Sequence, residues 1–288
     1  MKDKFSFKPG HRLRACYLIF AYTFLVLLMV AMVIPVIKIF VDSVDPTATG
    51  ITLWPKAWDF SAYKYVTKST SLYRPFIVSV VTTIAGTGVG LLIVAISAYV
   101  LIQKEMPGRG FISKMIMFTM LFNGGLIPTY LTIQNVGLGN TYAGVILPLT
   151  LSAYNIILMK SFFESIPTAL FDSAKIDGCT PLGIFVKIVL PLSKPALASI
   201  GLFTAVTMWN DFFHFQIYIS DPLKQNFQVM LRNIILMDTA TGTPATAGFT
   251  AEMLKSSIIV IVVLPFLIIY PFVQKYFVKG VTVGAVKG

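Results

Sequence analysis

Charge is scarce in this chain. Of its 288 residues, 12% are Asp, Glu, Lys or Arg, about half the share of an ordinary soluble domain. A soluble globule cannot cover its surface with so few charges. Cysteine is almost missing, with two in the chain, Cys16 and Cys179, which excludes a disulfide-stapled secreted fold. Histidine is equally rare, and His11 and His214 form no zinc-spaced ligand set with the two thiols. Both thiols are expected to be reduced. No GxxxxGK[ST] run occurs, so no phosphate-cradling loop for ATP is present. Gly86, Gly88 and Gly90 lie inside an apolar run, and no helix can follow the terminal Gly284–Gly288 stretch. No nucleophile–base pair is evident, so an enzyme is not expected.

What is abundant is apolar surface: 56% of the residues are hydrophobic. That excludes intrinsic disorder, which needs the opposite balance, and leaves a polytopic membrane protein. Crossing the hydrocarbon takes about 20 mostly apolar residues in a helix. Six stretches qualify: about 16–40, 75–102, 111–133, 142–163, 196–215 and 253–278. The first is longer than a secretory h-region and lacks a small-residue cleavage site, so it is expected to remain as an anchor. The glycines of the second suit close helix packing. The third is interrupted by Asn123-Gly124-Gly125 and Pro128, the fourth by Pro148, and the last by Pro265 and Pro271.

The net charge of +11 has a location. With both ends inside, fifteen of the 23 basic residues fall on inner segments and eight on outer ones. The excess of Lys and Arg on cytoplasmic loops explains the basic balance. It needs no nucleic acid. The organisation read from the sequence is therefore a cytoplasmic segment 1–15, a transmembrane domain 16–278 and a cytoplasmic tail 279–288.

Two stretches are expected outside. Val41–Ser71 carries Trp54, Pro55 and Trp58, which suit an interfacial aromatic belt or a ligand contact. Gln216–Ala251, rich in Thr, Ala and Gly from Thr239 to Thr250, reads as a flexible loop. The most informative segment is inside, from Ser165 to Pro195: SIPTALFDSAKIDGCTPLGIFVKIVLPLSKP. Pro167 suits a first helical turn. Leu170, Phe171 and Ala174 form an apolar stripe at helical spacing, with Asp172, Lys175 and Asp177 mostly on other faces. Gly178 can supply the left-handed residue that ends a helix. A second amphipathic turn places Leu182, Phe185 and Ile188 on one side, and Pro191 and Pro195 then break the chain. The pattern fits a helix pair resting on headgroups and equally a docking element for a soluble partner.

The same segment resembles the cytoplasmic EAA loop of binding-protein-dependent ABC importers. Asp172, Ser173 and Ala174 stand where the family has Glu-Ala-Ala, followed by Gly178 and by Leu190-Pro191. Asp shortens the carboxylate's arm and Ser keeps a small side chain. The C-terminal YPFVQKYFVKGVTVGAVKG resembles the end of MalG-type sugar importer permeases. NGGLIPTYL, SAYNIILMKSFFESIP and Trp209-Asn210-Asp211-Phe212 resemble the branch handling oligosaccharides, including uronate-containing ones such as alginate or aldouronate fragments. The resemblance implies an all-α fold, the type I importer permease with six transmembrane helices and a cytoplasmic coupling helix, in a bacterial inner membrane. It implies a second homologous permease, two ATPase subunits that hold ATP and Mg, and an extracytoplasmic solute-binding protein. This chain itself would bind no cofactor. Docking to the ATPase would fall on Leu170, Phe171, Asp172, Ser173, Ala174, Asp177, Gly178 and Pro191, with 165–191 as the coupling loop. The tail, from about Gly280, would extend toward the ATPase interface.

Polar side chains inside a bilayer are costly and point to function. Asn123, Tyr154, Asn155, Trp209, Asn210 and Asp211 are the candidates for a substrate path, since sugars offer hydroxyls beside apolar C–H faces. For Asn123 the alternative is a broken helix whose freed backbone groups need partners. The transport mechanism expected is alternating access driven by a separate ATPase. A gradient-driven secondary transporter is the competing reading; it requires membrane-buried carboxylates at midplane and an inverted repeat, but apart from Asp211 at the end of a span no such acid occurs, and no clear repeat is visible.

Overall fold

The computed structural model describes residues 9–48, 50–122, 124–236 and 248–285, and every regular element among them is helical. The chain divides into two compact units, Met1–Lys68 with Thr239–Ile261, and Ser69–Asp238 with Val262–Gly288.

In the first unit α1 runs from Pro9 to Val44, and its Cys16–Val44 stretch is long and apolar enough to cross a membrane. Side chains on all sides of α1 are exposed through its middle turns, as befits a helix whose solvent is hydrocarbon. Polarity begins at its end, where the Lys38 ammonium donates to Asp42 at 2.6 Å. A loop follows, organised by the buried Asp45. One carboxylate oxygen accepts from the Thr47 amide (2.8 Å) and hydroxyl (2.7 Å), the other from the Lys56 amide (2.7 Å). Asp59 then caps α2 (Ser61–Lys68) by accepting from the Ser61 amide at 2.8 Å. Tyr63 donates back to Ser43 at 2.7 Å. Trp54 and Trp58 stand exposed on this stapled loop.

The second unit is organised around α3 (Thr70–Ile102), a single 33-residue helix of membrane-spanning length and composition. Two apolar cores gather at its ends. One joins Val94, Ala98 and Tyr99 to Met159, Phe163, Ala174, Phe185, Val189 and Ile200. The other joins Val78 to Ile133, Val145, Phe215, Tyr218 and Val229. From Val78 to Tyr99 a helix climbs about 31 Å at 1.5 Å per residue, the thickness of a bilayer's hydrocarbon. Between the cores α3 lies close to α11 (Lys194–Trp209). A methyl group at Gly86 would meet the end of Met208 at 2.8 Å, and one at Gly90 would meet Thr150 and Thr204 at 3.3 Å. These two glycines serve the expected close packing; Gly88 faces open space.

The remaining helices are shorter than the hydropathy runs suggested. The third run is two helices, α4 (Arg109–Leu121) and α5 (Leu126–Asn135), separated where Phe122 is extended and Gly125 has φ +89°. The fourth is α6 (Tyr142–Thr150) and α7 (Ala153–Glu164), bent by 46° where Ser152 caps α7. After α8 (Thr168–Ile176), the segment Pro181–Leu192 meets α11 at 79°. That segment is α9 (Pro181–Ile184), a π turn (Phe185–Val189) and α10 (Leu190–Leu192). Pro195 lacks the amide that would carry the ladder through the bend at Ser193. The fifth run ends earlier than expected, at Trp209, and α12 (Phe213–Tyr218) and α13 (Phe227–Leu236) follow. The last helix, α14, spans Ala251–Ala285 and therefore includes residues 279–285 of the expected tail. Most of the Thr239–Thr250 loop, the start of the chain and the final three residues lie outside the described residues.

Candidate functional site

α8 begins one residue later than expected. Pro167, with ψ 129°, stands outside it as the flanking residue, and Thr168 opens the helix. The other end is the one the sequence pointed to. Gly178 sits at φ +73°, its amide donates to the Lys175 carbonyl at 3.1 Å, and the Cys179 amide returns to the Ala174 carbonyl at 2.9 Å. That is the left-handed closure in which the residues past the helix satisfy its last carbonyls.

The stripe, however, faces inward. Ala174 is buried and Phe171 half-buried, both in the chain's own core with Cys179. Leu170, Asp172, Ser173, Lys175, Ile176, Asp177 and Gly178 remain exposed, Ile176 to 86%. The surface α8 offers is thus mixed, apolar at Leu170 and Ile176 and acidic at Asp172 and Asp177. The second turn also differs from expectation. Ile184, Phe185 and Val189 are buried, while Leu182 is exposed. Leu182 and Phe185 therefore differ in exposure although three residues apart, and from Phe185 the helix widens to π spacing, which shifts the register of the residues beyond it. Pro191 is exposed past that turn.

Behind α8 lies a cleft of about 490 Å³, between the end of α3, the start of α4 and the end of α7. Its polar walls carry opposite charges in pairs. Arg109 approaches Glu164 at 3.6 Å and Lys175 of α8 approaches Glu105 at 3.7 Å; Lys160, outside the cleft lining, donates to Glu164 at 2.7 Å. Across the cleft Tyr99 donates its hydroxyl to the Pro181 carbonyl at 2.8 Å, and its ring lies 4.8 Å from that of Phe185. One buried side chain of α3 therefore pins the segment following α8. Sequence reasoning missed Tyr99; it closes an apolar run like any interfacial tyrosine, and its partner is 82 residues away.

The path candidates scatter. Tyr154 is exposed. Half-buried Asn155 donates to the Thr204 hydroxyl at 3.5 Å, joining α7 to α11. Trp209 is buried edge-on to Phe76 at 5.9 Å between ring centres, so its face packs within the unit. Asn210 is exposed and turns its amide back to the Val206 carbonyl. Asp211 is buried, and its carboxylate is used locally. One oxygen lies 2.6 Å from Nδ1 of His214, and the other accepts from the Phe215 amide at 3.3 Å, capping α12. Asn226 donates to its carbonyl. Asn123 lies outside the described residues. Among the described residues no three His, Cys, Asp or Glu side chains group as metal ligands.

The chain that folds this way resembles known proteins. The family described as "Binding-protein-dependent transport system inner membrane component" matches residues 110–283. Protein LplC of Bacillus subtilis (strain 168) is 42% identical over 240 residues, covering 82% of this chain and 81% of its own. The polygalacturonan/rhamnogalacturonan transport system permease protein YtcP of the same organism is 39% identical over 276 residues, 93% of this chain and 96% of its own. A chain from the crystal structure of a bacterial ABC transporter involved in the import of the acidic polysaccharide alginate superposes with a TM-score of 0.88. It is 31% identical and covers 95% of this chain and 100% of that one.

Proposed function

Because the chain belongs to the family of binding-protein-dependent transport system inner membrane components, we infer that it moves acidic oligosaccharides inward through a path it shares with a second permease. It is a sugar or oligosaccharide permease of an ABC importer, a non-catalytic membrane subunit whose ATPase is a separate chain. Such a permease works with a partner permease, an ATPase and a solute-binding protein; two ATPase subunits is the number we infer.

The observation that carries the working mechanism is α8. It is a short helix, closed by Gly178, bedded by Ala174 and Phe171 on the core around the end of α3, and exposed along Leu170, Asp172 and Ile176. A partner gripping the exposed face would move the bedded face with it. We take α8 as the coupling helix on the cytoplasmic side, with both termini inside and six spans, α4–α5, α6–α7 and α11 supplying the broken ones. The excess of basic residues on the corresponding segments supports that orientation. Closing of the ATPase dimer on ATP would draw the coupling helices together and open the path outward; this needs ATP to bind the outward-facing assembly better. The acidic cargo is supported by the similarity to a permease of a polygalacturonan/rhamnogalacturonan transport system and to a transporter involved in the import of alginate.

A cysteine at Ile176 tests the docking. With a short crosslinker it should yield an adduct with the ATPase, and membranes lacking the ATPase should yield none. Labelling by lipid-soluble reagents alone, with no ATPase adduct, would sink the assignment of α8.

A further inference from the structure

The outer end of the second unit, in the orientation inferred above, holds a cation with no part in the coupling at α8. α13 is fixed at its start. The Phe227 amide donates to the Ser79 hydroxyl of α3 at 2.9 Å, the Phe227 ring packs edge-on against Phe76, and the Val229 amide donates to Asn226 at 3.0 Å. Arg232 follows on this anchored helix and is exposed. Its guanidinium carbon lies 4.2 Å from the centre of the Phe212 ring, in the turn between α11 and α12.

Two features distinguish this from an ordinary surface arginine. First, among the described residues no carboxylate lies within ion-pair distance of Arg232. The acid adjacent to Phe212 in the chain, Asp211, is buried with its oxygens committed to His214 and the Phe215 amide. Second, a guanidinium lying over a ring engages its face, and its N–H groups remain in the plane, where a carboxylate is bound in bidentate fashion. Phe213, the first residue of α12, adds an exposed ring beside it.

We propose that Arg232, held over Phe212, is the carboxylate-recognition site of this chain and selects uronate-containing over neutral oligosaccharides. A uronate residue offers both complements of the site, a carboxylate for the fork and an apolar C–H face for the ring. A neutral sugar offers only the second. The site rests on the acidic-cargo reading and deepens it. A hydrogen-bonded charge pair of this kind contributes roughly ten- to a hundred-fold in affinity.

The test uses the whole importer, purified with its ATPase, and two probes, trigalacturonate and its methyl ester. Binding is measured by calorimetry with a non-hydrolysable ATP analogue present. Arg232→Gln should weaken trigalacturonate roughly ten-fold or more and leave the ester within about two-fold; Arg232→Lys should fall between. Phe212→Leu should weaken both probes, because it removes the shared ring contact. Equal loss of both probes in Arg232→Gln would mean the arginine merely props the turn, and overturns the proposal. Unchanged trigalacturonate binding in that variant also overturns it, with the acidic-cargo reading intact. If the wild-type importer does not prefer trigalacturonate to the ester, both readings fall.

Discussion

Asp45 and Tyr99 are single residues that each tie distant backbone together, and each supports a test. At Asp45, the Thr47 hydroxyl first and the Lys56 amide next stabilise the ionised carboxylate, moving its pKa from the ordinary 3.8 down to about 2. A depressed acid stabilises the fold above its unfolded pKa and loses that contribution as pH falls through the folded value. The loop carrying Trp54 and Trp58 should therefore hold from neutrality to about pH 4 and loosen as pH drops through about 2. In a Trp209→Phe background these two residues alone report by fluorescence. Asp45→Asn should show the loosened spectrum already at pH 7, and an unchanged spectrum there would mean the carboxylate does not organise the loop. Tyr99→Phe keeps the ring on Phe185 and removes only the bond to the Pro181 carbonyl. Its cost to stability should be modest, about 1 kcal/mol. If the bond transmits movement, ATP hydrolysed per sugar transported should rise several-fold while assembly persists. An unchanged ratio with a lower melting temperature would assign Tyr99 to structure alone.

Among the elements, α8 shows how far a sequence can be read. Its closure at Gly178 was legible because a local rule decides it: past a helix end the chain turns left-handed, and glycine does so without strain. Which side of α8 faces inward was not legible. Amphipathicity marks a stripe that wants burial, yet Ala174 is buried and Phe171 half-buried in a core shared with α3, α7 and α11 of the same chain rather than left for a partner. The π turn at Phe185–Val189 was equally hidden, since a one-residue widening leaves no trace in a pattern of period 3.6. The substrate-path residues divide: nothing local says that Trp209 packs on Phe76, whereas Asp211 serves α12 through contacts three and four residues ahead, within reach of the helix-capping rule. The distinction sets an order among variants. Gly178→Ala has free space around its methyl but a φ of +73°, so it should cost about 1 kcal/mol and leave ATPase binding measurable. Gly178→Pro cannot reach that φ and loses the amide that bonds Lys175, so ATPase pull-down should fail while the protein still inserts. Ala174→Arg should also lose the ATPase, through displacement of the buried face of α8. Ile176→Arg, on the exposed face, should lose the ATPase with the fold untouched; retention of the ATPase by that last variant would show that the exposed face is not the one gripped.

At the scale of the whole molecule, the hydropathy runs located apolar sequence correctly but could not say how it would fold. Three runs lie in single helices, α1, α3 and α14, although Pro35, the glycines of α3 and Pro265 and Pro271 fall inside them; the third and fourth runs became divided or bent helices. In a bilayer such breaks survive only where protein or a water-filled path satisfies the exposed backbone. The divided helices α4–α5, α6–α7 and α10–α11 therefore require a neighbour or a lumen, which a second permease would provide. That requirement bears on the energy source. Among the described residues of α3–α11 no membrane-buried acid is available to carry a coupled proton, and Asp211 is tied to α12. Uptake into vesicles holding the complete importer should therefore need ATP together with the loaded binding protein. It should continue when ionophores collapse the proton and sodium gradients, and stop when nucleotide is withdrawn. Accumulation driven by an imposed gradient in vesicles without ATP would place the energy in the wrong partner and return the chain to the secondary transporters.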